Sequence, residues 1–151
     1  MNPPLTDPEL WAAFQSRTLP GDRWTHEAHL RTAWMHLKRH PIDDAHILIR
    51  VGIILLNASH GLTETPQRGY HETVTRAYLA IIAGLMRTDD SPDSLAFVTR
   101  HADQLKKGAT LRHYTQALIT SPHARAAFVP PDVEPLPQDA RPEEAPRRTP
   151  G

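Results

Sequence analysis

Nowhere in the 151-residue chain do apolar and polar residues alternate with period two for more than a few positions, while six segments carry apolar residues at helical spacing. That pattern leaves little room for a sheet. The first segment runs from Asp7 to Arg17, with Asp7 as its expected N-cap and Pro8 at the first helical position, where a missing N–H costs nothing. The second starts at Thr25 and stops at His40, before Pro41. The third opens at Asp43 or Asp44 and ends at Gly61, a residue suited to a left-handed C-terminal turn. The fourth spans about Tyr70 to Arg87, and two weaker ones cover Ser94–Leu105 and Leu111–Thr120. The expected fold is all-α, a compact bundle of about five to six helices.

From Pro130 onward the composition changes. The last 22 residues hold seven of the chain's 15 prolines and few apolar side chains, so this stretch reads as an extended Pro-rich C-terminal tail. Lys plus Arg and Asp plus Glu both total 17, giving a formal net charge of zero. A nucleic-acid or membrane-surface binder normally shows a basic excess, so neither partner is expected. No apolar run reaches the ~20 residues of a membrane span, and the first residues lack the basic and apolar regions of a secretory signal. A cytoplasmic protein is the expectation. With no cysteine, thiol nucleophiles and thiolate metal sites are excluded.

Histidine is the outlier, with ten copies. At about 100° per residue, Leu30, Ala33, Trp34 and Leu37 mark the buried stripe of the second helix. His26 falls on that stripe and His29 on its flank, while His36 and His40 read as surface, as do His46, His101 and His123. In the fourth helix, His71 and Thr75 share the inner face with Val74, Tyr78 and Ile81, and Glu72 lies toward its edge. Short connections make consecutive helices antiparallel, so helices two and four start at the same end of the bundle, where helix three finishes with His60. That topology predicts a cluster of His26, His29, His71 and Glu72, with His60 as a further candidate.

Imidazoles plus a carboxylate suit a divalent ion such as Zn, Fe, Mn, Ni or Cu with an open coordination position. His26, His29 and His71 are the expected ligands, His60 and Glu72 the additional ones, and His71 and Glu72 the expected catalytic groups. Glu72 would serve as ligand or general base. A metal-free alternative uses His71 and Glu72 for proton transfer, with Thr75 and Tyr78 as hydrogen-bonding groups. The structural alternative makes the inward histidines satisfied core residues in a purely structural network, with no chemistry. Phosphate-binding, nucleophile-elbow and calcium-loop motifs are absent.

The stretches "WTHEAHL" at 24–30, "RGYHETVTRAYL" at 68–79 and "SPHARAAFVPPDVEPLP" at 121–137 together resemble an uncharacterised family of small bacterial helical proteins. The resemblance implies a single helical domain over residues 1–137, with the tail at 138–151, and a functional unit of His26, His29, His71 and Glu72. It implies no substrate. The expected activity is that of a small metal-dependent enzyme of hydrolase or lyase type acting on a small polar molecule, non-haem redox chemistry being the variant. The alternatives are a non-catalytic metal- or ligand-binding module, with a homodimer formed through a helix face, and an interaction protein with structural histidines.

Overall fold

In the computed structural model, which describes residues 3–137, the chain is all-α. Eight α-helices occur among those residues: α1 (Asp7–Gln15), α2 (His26–Arg39), α3 (Ile42–Ser59), α4 (Glu72–Met86), α5 (Ser94–Arg100), α6 (Ala102–Leu105), α7 (Gln116–Ile119) and α8 (Pro122–Ala126). Two 3-10 turns, Gly21–Arg23 and Ala109–Arg112, interrupt the connections. The expected tail at 138–151 lies outside the described residues.

Caps explain most boundaries. Thr25 Oγ1 accepts the Ala28 N–H at 3.2 Å and starts α2. After α3, Gly61 takes φ 78° and Leu62 N–H returns to the Asn57 carbonyl at 3.0 Å. Thr6, rather than Asp7, caps α1: its hydroxyl accepts the Glu9 N–H while the Glu9 carboxylate accepts the Thr6 N–H. Helix α3 begins directly after Pro41, which puts Asp43 and Asp44 inside its first turn against the positive end of the dipole. The segment expected as one helix from Leu111 to Thr120 breaks instead. Asp132 accepts both the Thr115 N–H (2.8 Å) and the Thr115 hydroxyl (2.7 Å), holding Thr115 extended so that α7 starts only after it. Likewise Ser94–Leu105 divides at His101 into α5 and α6.

Helix α2 is central and touches α1, α3, α4 and α5. Leu30, Trp34, Ile49, Ile53, Ile82 and Phe97 are buried around it, each contributing about 1.5–3 kcal/mol by removal from water. Phe14 of α1 lies against the backbone of α3 at Gly52, where a Cβ would collide with its ring. A polar clasp ties three segments together. The buried Arg31 donates to Ser94 Oγ (2.7 Å), Leu5 O (2.6 Å) and Asp7 Oδ1 (3.0 Å), and Ser94 donates to Asp7 through both its hydroxyl and its N–H. Burial alone would raise the Asp7 pKa, but the Ser94 hydrogen bonds and the Arg31 guanidinium outweigh it and hold the carboxyl below its ordinary value.

Residues 121–137 are hydrogen-bonded to the helical body. Thr73 Oγ1 donates to Ala127 O at 2.9 Å and accepts Val129 N–H at 3.1 Å, and Tyr114 OH donates to Val129 O at 2.7 Å. On the outer side of the bundle α3 is apolar as well, exposing Ile47, Leu48, Val51 and Leu55.

Candidate functional site

The first halves of α2 and α4 meet across a cavity of about 370 Å³, closed on a third side by Ile49 and Ile53 of α3. His26, His29, Leu30 and Ala33 come from α2, and Val74, Thr75, Tyr78 and Leu79 from α4. Trp24 and Lys107 complete the wall. The helices converge here because Thr25 and His71 cap α2 and α4 next to their apolar stripes. The volume suits a small organic molecule, within the range of ordinary ligand pockets.

His29 is the distinctive group in that wall. Its ring stacks on Trp24 with centroids 3.7 Å apart and planes inclined by 26°. Burial, reinforced by the nearby His26, pushes its pKa down to about 4, so the ring is neutral at physiological pH. Among the described residues no protein group hydrogen-bonds either of its nitrogens. A neutral imidazole in a cavity wall can both donate and accept one hydrogen bond. His26 stands one turn earlier. Its Nε2–H donates to Leu105 O at 2.7 Å, which leaves Nδ1 as an acceptor, and its ring meets Tyr78 edge to face at 5.5 Å.

The other expected site residues go elsewhere. His71 is the N-cap of α4: its Nδ1 accepts the Val74 N–H at 3.1 Å and its Nε2–H donates to Ile119 O at 2.8 Å. Both ring nitrogens are thereby occupied and the ring is held as one neutral tautomer. Burial lowers its pKa, helped by the charge of Arg125 and opposed by the Ile119 carbonyl. His60 donates from Nε2 to Leu19 O at 2.8 Å, joining the end of α3 to the turn before α2. Among the described residues, no three His, Asp or Glu side chains come together in an arrangement that could hold a metal ion. The topological expectation thus brings together His26 and His29, but not His71, Glu72 or His60.

Glu72 is buried and faces α3. Tyr70 OH donates to it at 2.8 Å, His46 Nε2 lies at 3.0 Å and Arg50 at 3.2 Å. Burial would raise its pKa, yet the hydrogen bonds from Tyr70 and His46 and the charge of Arg50 keep it lowered and ionised. Burial, then Glu72, raises the Tyr70 pKa, so the phenol keeps its proton and donates it to the carboxylate.

Three expected surface histidines are partnered inside the fold. His36 is only 1% exposed, its Nδ1–H donating to Thr32 O and its ring packed on Trp11 and Phe14. His46 meets Glu72, and His101 lies 2.7 Å from Asp89. Lys107 carries no sequence signal: a lysine before a glycine reads as a turn, and only the close approach of residues 105–108 to α4 brings it to the cavity. A wider groove of about 1180 Å³ lies between α4 and residues 103–113. Its walls mix Arg87, Lys106 and Arg112 with Asp103 and Glu134, and its one histidine, His113, is already bonded to the Glu134 and Pro135 carbonyls.

Comparison with protein families, curated proteins and solved structures returned no match for this chain. No helix among the described residues is long and apolar enough to cross a membrane.

Proposed function

We propose that the protein is a helical small-molecule-binding protein whose working site is the cavity between α2, α3 and α4. One observation carries the reading: His29 is the neutral imidazole left without a protein partner in that wall, while His71, His60 and His36 are all tied to backbone carbonyls. The His29 ring is half-buried and its nitrogens are open to the cavity, so a ligand can take the hydrogen bonds that water would otherwise make there. The test is a thermal-shift screen of small organic compounds on the native chain and on Ala33→Phe, which fills the cavity. Compounds that use this site raise the native melting temperature and leave the variant unmoved. Hits that stabilise both equally would refute the assignment.

A divalent metal centre is the second reading, favoured by His26 and His29 lying three residues apart on one cavity wall. Two imidazoles would leave open positions on Zn, Fe, Mn, Ni or Cu, where water or substrate could be activated in a hydrolase- or lyase-type reaction. Metal content of protein purified without an affinity tag decides it. Stoichiometric metal in the native chain and loss in His29→Ala support a metal site; absence from both, before and after reconstitution, removes it.

A further inference from the structure

Given that the cavity binds a small molecule as proposed, the charge and polarity of its walls select among occupants. Among the described residues twelve line the cavity, none of them a carboxylate. Seven are apolar, among them Leu30, Ile49, Ile53 and Leu79, so most of an occupant's surface would meet hydrocarbon. Among the described residues Lys107 is the single formal charge in the wall and has no acidic partner. Three arginines close to α4 are committed: Arg50 to Glu72, Arg125 to Gly69 O and Arg76 to the face of Phe128.

Lys107 is solvent-exposed, and among the described residues no carboxylate in the cavity wall opposes its attraction for an anion. His29 adds a hydrogen-bond donor from the same wall. The cavity of about 370 Å³ equals roughly twelve water volumes at about 30 Å³ each. We infer that the cavity takes a small carboxylate with an apolar body, alkyl or aromatic, its hydrocarbon among Leu30, Ile49, Ile53 and Leu79 and its carboxylate at Lys107 with a hydrogen bond from His29.

Octanoate and octanol test this, because they share a chain and differ in the head. Each is titrated calorimetrically into the full chain and into Lys107→Met, an exposed position where the change leaves the core untouched. The expected result is octanoate binding at least about tenfold more tightly than octanol, the size of one charge-assisted hydrogen bond. Lys107→Met should remove that preference, bringing the octanoate and octanol affinities together. Equal affinity for the two probes, or a preference that survives Lys107→Met, overturns the carboxylate assignment while the binding cavity stands. Failure of both probes to bind the native chain, with the Ala33→Phe screen also empty, overturns the cavity reading itself.

Discussion

His29 makes the fold acid-sensitive at the scale of one residue. Its pKa is about 4 in the native state against an ordinary 6.5, so between those values the unfolded chain binds more protons than the folded one. Stability must therefore rise with pH from about 4 to about 6.5 and level off above. His36 and His71 are shifted in the same direction, chiefly by burial, and add to the slope. Asp7 and Glu72 are depressed carboxyls; their contribution is present above the ordinary carboxylate range and is lost as pH falls through their lowered values. Urea-unfolding midpoints measured from about pH 4 to about pH 8 should show this profile, and His29→Gln should make it shallower between about 4 and 6.5, leaving the part due to His36 and His71. A native-chain midpoint that falls over that interval contradicts the burial of these rings. At this scale the sequence told which histidines begin α2, but not where each ring nitrogen ends. Helical angle places a side chain on a face; His71 shows that a cap can turn the ring back along its own helix, toward Val74 and Ile119.

Helices and their caps were far more legible, because Thr25, Pro41 and Gly61 act through local geometry that the sequence displays. What stayed hidden depends on partners distant in the chain. Asp132 ends the expected helix at Thr115 from 17 residues away, and Arg31 and Ser94 take Asp7 out of its capping role. Gly52 is a second case. Mid-helix glycine ordinarily costs about 1 kcal/mol relative to alanine, so propensity alone favours Gly52→Ala. Contact with Phe14 reverses the sign, since the added methyl would run into the ring. Overpacking of this kind costs about 1–3 kcal/mol, so Gly52→Ala should lower stability by a net ~1 kcal/mol. Combined with Phe14→Leu, the loss should shrink, and a double-mutant cycle reads the coupling. Additive losses would mean that α1 and α3 are not held at that distance.

Across the whole molecule, the clasp of Asp7, Arg31 and Ser94 joins residues separated by up to 87 positions, more than half of the described chain. Such a contact has no entropic route to early formation, because α1, α2 and α5 must already be in place before its three members can meet. It belongs to the end of folding. Ser94→Ala leaves the Arg31 Nε–H without its acceptor and should cost about 1–3 kcal/mol. In stopped-flow measurements nearly all of that loss should appear as faster unfolding, with the refolding rate almost unchanged. The clasp would then act as a latch on the lifetime of the native state, setting how long the protein stays folded rather than how quickly it gets there.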